Sequence, residues 1–201
     1  MVITWYGKNC FKLQSGELVI VTDPFEKDND LSPFRGRADI IIRTVAQASS
    51  VRRQASSENE AFEISYPGEY EVKDISIKGW SLPGAKNLRS VFLIELDELK
   101  IVLLGHLADE NEIKKIQEYL EDADIIFVPA GGKPFIDTGA AAKLIRQLKP
   151  GLVIPALFNG PKDLKPFLKE LGKNEAEPRE KLTIGKKDLS KEKLIIGCLK
   201  I

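Results

Sequence analysis

Short apolar runs separated by turn-forming residues dominate the first half of the chain. Such runs predict strands, and the Gly, Pro, Asn and Asp residues between them predict turns. The predicted strands are Val2–Tyr6, Cys10–Leu13, Leu18–Asp23, Ala38–Arg43, Ala61–Ile64, Tyr70–Val72, Ile75–Trp80, Val91–Leu96 and Ile101–Leu104. Turns at Ser15–Gly16 and Asp97–Lys100 indicate a meander of antiparallel strands.

The second half changes to a helical period. Helices are predicted over Asp109–Leu120, Thr138–Leu148 and Lys162–Leu171 from apolar residues three and four apart. The strands predicted between and after them are Asp124–Val128, Leu152–Pro155, Lys181–Ile184 and Leu194–Ile201. Helices outside two packed sheets satisfy this order, so we expect an α+β fold. A chain of 201 residues fits one domain, residues 1–201.

Composition and charge narrow the possible partners. Lys+Arg and Asp+Glu both total 30, so no net positive field attracts nucleic acid or an anionic membrane. No apolar run approaches the roughly 20 residues of a membrane span, and no signal peptide is evident at the N-terminus. Two cysteines, Cys10 and Cys198, do not make a disulfide framework, although they could meet if the terminal strands pair. We therefore expect a cytoplasmic protein with reduced thiols.

The chain contains one histidine, His106. Zinc hydrolases hold their metal with three or four nitrogen, sulfur or carboxylate ligands and often use several histidines. One histidine cannot supply such a cluster.

Several segments, taken in order, resemble the metallo-β-lactamase superfamily and, within it, the small UlaG-like "Zn-dependent hydrolase" branch. They extend over nearly the whole chain, and the ordered set carries the resemblance rather than any single motif. The segments are Trp5–Phe11, Thr22–Phe25, Tyr66–Val72, Leu104–Leu107, Val128–Gly132, Ile136–Asp137 and Val153–Phe158.

The resemblance implies a four-layer αββα sandwich with metals bound by loops at one edge of the two sheets. The family motif HxHxDH corresponds here to residues 45–50, with Val45, Gln47 and Ser50 in the histidine slots and Ser49 in the aspartate slot. His106 stands where the family has a ligand carboxylate, and Leu157 stands where it has its last histidine.

These replacements remove most of the donor atoms of the family's metal site. Val45 and Leu157 offer no donor, and apolar side chains can fill emptied space without stranding polar groups. Zinc is the family's cofactor, and because its ligands are missing here we expect no cofactor. Asp23 lies near the family site, and we expect it to cap the turn into Pro24. The remnant site then consists of Asp23, Val45, Gln47, Ser49, Ser50, His106 and Leu157.

Three functions remain open. The first is a catalytically inactive homologue that acts as a binding or interaction subunit, as a homo-oligomer or with an active paralogue; it predicts a cleft plugged by Val45 and Leu157. The second is a residual hydrolase of an ester, lactone or phosphoester that uses His106, with or without one weakly bound metal. It predicts that His106 and Asp23 converge in an open polar cleft with a tightly bound metal or water. A Ser49–His106–Asp23 triad would be a special case, which nothing in the spacing supports. The third is a small-molecule sensor with an open cavity.

Overall fold

The computed structural model describes residues 1–26, 30–46, 61–84 and 87–201. Within these ranges the chain forms two mixed β-sheets and a small number of helices. The α+β sandwich expected from the sequence is therefore present.

The first sheet has six strands in the order β12-β1-β2-β3-β4-β5. Strands β3, β4 and β5 run parallel, and the other neighbours are antiparallel. The bounds are β1 Val2–Gly7, β2 Cys10–Ser15, β3 Leu18–Thr22, β4 Ile40–Ile42, β5 Phe62–Ile64 and β12 Lys181–Thr183.

The second sheet has seven strands in the order β13-β11-β10-β9-β8-β7-β6. Strands β9, β10, β11 and β13 run parallel, whereas β6 to β9 form an antiparallel meander. The bounds are β6 Gly68–Val72, β7 Ile75–Leu82, β8 Arg89–Leu96, β9 Leu99–Leu103, β10 Ile125–Pro129, β11 Leu152–Ala156 and β13 Ile195–Ile196.

The described α-helices are α1 Gln117–Leu120, α2 Thr138–Leu148 and α3 Pro161–Glu170, and short 3₁₀ helices cover Glu110–Ile113 and Lys186–Asp188. Asp137 caps α2 by accepting a hydrogen bond from the backbone N–H of Gly139 at 2.9 Å. None of the helices in the described part of the chain is long and apolar enough to cross a membrane.

One predicted helix is shorter than its sequence pattern suggests. Asp109–Leu120 divides into the 3₁₀ helix Glu110–Ile113 and the single turn α1. Asp109 and Glu112 form a capping box, and Glu112 also pairs with Arg89 on β8. The ion pair with Arg89 holds the 3₁₀ helix against β8.

Aromatic contacts join the two sheets. Phe11 on β2 meets Phe127 on β10 edge-to-face, with ring centroids 4.8 Å apart. Trp5 on β1 stacks on Phe158, just beyond β11, at 4.9 Å. Burying side chains of this kind stabilises a fold by about 1.5–3 kcal/mol each, so these contacts fix how the sheets face one another.

The carboxyl ends of the parallel strands bring polar residues to one place. Strand β3 ends just before Asp23, β4 ends two residues before Thr44, and β9 ends three residues before His106. The Thr44 side chain lies within hydrogen-bonding distance of both Asp23 and His106. The edges of the two sheets therefore meet at Thr44.

Gly105 makes this meeting possible. Its φ is +55°, and a Cβ added there would lie 2.5 Å from the Cβ of Thr44. Gly16, in the β2–β3 hairpin, has the same φ of +55° but no atom within 4 Å of an added Cβ. The two glycines thus share a backbone conformation and differ in the space around them.

We predict that Gly105→Ala destabilises the protein more than Gly16→Ala does. A left-handed alanine costs about 1–2 kcal/mol at either position, and the contact with buried Thr44 adds about 1–3 kcal/mol at position 105 alone. Urea unfolding of both variants measures the difference. Equal losses would show that Thr44 does not pack tightly against Gly105.

Candidate functional site

Asp23 is bound on both oxygens of its carboxylate. Oδ1 accepts a hydrogen bond from the backbone N–H of Thr44 at 2.7 Å. Oδ2 accepts one from the Thr44 hydroxyl at 2.5 Å and another from the side-chain amide of Asn9. Asp23 therefore caps the chain after β4, whereas the sequence predicted that it would cap the turn into Pro24.

His106 lies on the other side of Thr44. Its Nδ1 is 3.0 Å from Thr44 Oγ1, and its ring packs edge-on against Phe135 with centroids 5.6 Å apart. Its backbone carbonyl accepts a hydrogen bond from Arg89 Nη1 at 2.7 Å. Both the ring and the main chain of His106 are thus held in place.

The environment of His106 favours its neutral form. Burial lowers its pKa from the ordinary value of 6.5, the carboxylate of Asp23 opposes this, and the positive charge of Arg89 adds to the lowering. The net shift is downward, so the imidazole is neutral at pH 7 and can accept a proton.

Val45 and Leu157, the other predicted site residues that the structure describes, do not join this group. Leu157 is half-buried with φ +54°, its N–H bonds to the carbonyl of Lys8 at 3.0 Å, and its side chain packs against the core. Val45 is half-buried and makes a backbone bridge with Arg89. Gln47, Ser49 and Ser50 lie outside the described residues.

Sequence reasoning missed Thr44 and Asn9, the two residues that complete the network. Both side chains are buried, Thr44 fully and Asn9 to all but 4% of its surface. Thr44 comes directly before the altered motif, and Asn9 lies in the Trp5–Phe11 segment that carries part of the resemblance. A polar residue beside a lost ligand position was the available signal.

A metal centre does not fit the described residues alone. Residues 1–26, 30–46, 61–84 and 87–201 contain no group of three or more His, Cys, Asp or Glu side chains placed to hold a metal ion. Both oxygens of Asp23 already accept hydrogen bonds. His106 is the one histidine that could offer a metal a ring nitrogen. Any metal centre at this edge would need ligands beyond those of the described ranges.

Cys10 and Cys198 are both free and buried. Burial raises the pKa of the Cys10 thiol to about 12, with a smaller upward contribution from Asp23. A protonated, buried thiol is a poor nucleophile and a poor metal ligand, so Cys10 adds no chemistry to the site.

An apolar groove lies next to this edge of the sheets. It has a volume of about 800 Å³, and its floor includes Trp5, Phe158, Leu164 and Leu168. A sensor function requires an open cavity, and this groove is one. Its lining includes Lys8 and Phe158, which are next to Asn9 and Leu157 in the sequence.

Proteins of known structure share the fold. A protein from Thermotoga maritima, described as a candidate Zn-dependent hydrolase of the metallo-β-lactamase superfamily, superposes with a TM-score of 0.74 at 23% identity, covering 99% of both chains. CmlA, a diiron β-hydroxylase from Streptomyces venezuelae, matches with a TM-score of 0.62 at 10% identity, over 92% of this chain and 54% of its own. At these identities the likeness shows the fold alone.

A curated relative has a similar length. It comes from Natranaerobius thermophilus, is named a UPF0173 metal-dependent hydrolase, and is 23% identical over 205 residues, covering 85% of this chain and 91% of its own. Together with the zinc and diiron proteins, this name contradicts the expectation of a protein without a metal cofactor. That expectation was wrong because it counted only the family's own ligand positions.

The family itself is established by a match over most of the chain. The model of the β-lactamase superfamily domain matches residues 2–156, which include Asp23, Thr44 and His106. This chain therefore belongs to the β-lactamase superfamily and has the metallo-β-lactamase fold.

Proposed function

We propose that this protein is a hydrolase of an ester, lactone or phosphoester in which His106 acts as the general base. The observation that carries the proposal is the convergence of His106 and Asp23 on Thr44 at the meeting edges of the two sheets. The names of the relatives, which are hydrolases, support the same class of reaction.

In the proposed reaction, neutral His106 accepts a proton from water as the water oxygen attacks the carbonyl carbon or phosphorus. The imidazolium formed is close to the carboxylate of Asp23, linked to it through Thr44, and this negative charge favours the protonated ring. The imidazolium then returns its proton to the leaving oxygen, which departs as an alcohol. The base is neutral again at the end of the cycle.

The relatives' names also support a metal cofactor for this protein. The described residues do not supply a complete ligand set, so no step of the proposed reaction is assigned to a metal. Measuring the metal content of each variant distinguishes a change in bound metal from the loss of His106 as the base.

The proposal departs from an inactive binding subunit because the site residues do not simply fill a cleft. The side chain between Asp23 and His106 is the polar Thr44, and not the apolar Val45 or Leu157. A binding role, as a homo-oligomer or with an active paralogue, becomes the better account if no hydrolysis is found.

We predict that His106→Asn and His106→Ala each lower kcat/KM by about 10²-fold or more, since a positioned general base contributes about 10²–10⁴-fold. Asparagine keeps a side-chain N–H that can bond Thr44 and removes the basic nitrogen. The assays use p-nitrophenyl acetate, a homoserine lactone and bis(p-nitrophenyl) phosphate. Lys162→Ala, on the exposed face of α3, is the control and should leave turnover unchanged. If the wild-type protein turns over none of the three substrates, or His106→Asn keeps full activity, the proposal fails.

The pH dependence gives an independent prediction. A general base works when it is deprotonated, and the pKa of His106 is lowered from 6.5. The kcat/KM should therefore fall as the pH drops through the lowered pKa of His106 and should be level from about pH 7 to 8. An acid limb centred above the ordinary histidine pKa would contradict the assignment, as would a limb that persists unchanged in the residual activity of His106→Asn.

A further inference from the structure

We propose that Thr44 is a positioning residue that holds His106 in the tautomer with its proton on Nδ1, which leaves Nε2 as the basic nitrogen. The proposal deepens the hydrolase function and rests on it only for its kinetic consequence. The tautomer itself follows from the geometry of Asp23, Thr44 and His106.

The argument is a count of hydrogens. The Thr44 hydroxyl has one hydrogen to donate, and its oxygen is 2.5 Å from Asp23 Oδ2. A carboxylate can only accept, so that hydrogen points to Asp23. Toward His106 Nδ1, at 3.0 Å, the hydroxyl oxygen can then only accept, and Nδ1 must carry the hydrogen between them.

The opposite arrangement is disfavoured by the same distances. If Thr44 donated to Nδ1, two oxygens at 2.5 Å would face each other with no hydrogen between them. The shorter contact therefore decides the direction of the longer one. The Asn9 amide N–H₂ donates to the same carboxylate oxygen and, at 3.4 Å, to the Thr44 oxygen, so Asn9 offers the Thr44 hydroxyl no acceptor.

Thr44 is fixed well enough to impose this direction. Its side chain is fully buried, and its N–H is bound to Asp23 Oδ1. Its carbonyl accepts a hydrogen bond from the N–H of Ser90 at 2.8 Å, which ties it to β8. Gly105, two residues beyond the end of β9 and next to His106, packs against its side chain. With its main chain bound at both N–H and C=O and its Cβ against Gly105, Thr44 has little freedom to move.

The second nitrogen of the ring is available for chemistry. Among the described residues, no protein group forms a hydrogen bond with Nε2, while Phe135 packs against the ring and Arg89 holds the main chain. Since Nδ1 is occupied by Thr44, a water molecule to be deprotonated would be bound by Nε2. Histidines used as bases or ligands are commonly oriented by a partner on the other ring nitrogen in this way.

The test is two-bond ¹H–¹⁵N NMR of the imidazole at about pH 8, well above the ordinary histidine pKa of roughly 6.5. Because His106 is the one histidine in the chain, its signals need no assignment by mutation when the protein carries no affinity tag of histidines. We expect a protonated Nδ1 and an unprotonated Nε2 in the wild-type protein. A protonated Nε2 in the wild type would overturn the proposal without any variant.

Two variants test the role of the hydroxyl. Thr44→Ser keeps it and should keep the Nδ1–H tautomer, whereas Thr44→Val is nearly isosteric, lacks it, and should shift the ring toward the Nε2–H form that free histidine prefers. An unchanged tautomer in a folded Thr44→Val protein would overturn the assignment to Thr44. If Thr44→Val does not fold, the wild-type and Thr44→Ser spectra still decide.

The kcat and KM of the Thr44 variants separate the role of Thr44 from the proposed hydrolase function. We expect Thr44→Val to lower kcat about tenfold or more, through loss of the oriented base, with little change in KM, and Thr44→Ser to restore it. An Nδ1–H tautomer in a protein with no hydrolysis would uphold the role of Thr44 and overturn the proposed function. Hydrolysis that depends on His106 in a protein with the Nε2–H tautomer would uphold the proposed function and overturn the role of Thr44.

Discussion

The hydrogen bonds between the Asp23 carboxylate and Thr44 are the interaction on which the site depends. They close the ends of the parallel strands β3 and β4 at 2.5 and 2.7 Å and leave the Thr44 oxygen facing the end of β9. Asp23 is half-buried, and a carboxylate partly removed from water is costly unless its oxygens are bound, as both are here. The same contact that satisfies Asp23 also connects it to His106, so the stability of this edge and its chemistry cannot be separated.

The backbone at this edge includes strained conformations, which six other non-glycine residues in the described part of the chain also adopt. Lys8, Asp23 and Leu157 are all non-glycine residues with positive φ, and they follow three different strands. Each such conformation costs on the order of 1–3 kcal/mol and persists where the surrounding structure enforces it. The bond from Leu157 N–H to the carbonyl of Lys8 is one such restraint, and the bond from Asp23 N–H to the carbonyl of Ile42 is another.

Much of the fold followed from the sequence because burial imposes a simple pattern on strands. Continuous apolar runs such as Ile125–Pro129 and Leu152–Ala156 are parallel strands buried on both faces, as their composition predicts. Thr44 could not be found in this way, because its importance lies in two contacts across 21 and 62 residues of sequence. The metal expectation failed for a related reason: a motif counts ligands by position, whereas a metal site is defined by atoms brought together in space.

Chemical modification of the one histidine tests the central claim, that Nε2 of His106 performs the chemistry, most directly. Diethyl pyrocarbonate acylates unprotonated imidazole nitrogens, and mass spectrometry locates the adduct. The account predicts an adduct on His106, loss of hydrolysis in proportion to the formation of that adduct, and recovery of activity when hydroxylamine removes it. Full activity in protein acylated at His106 would contradict the account.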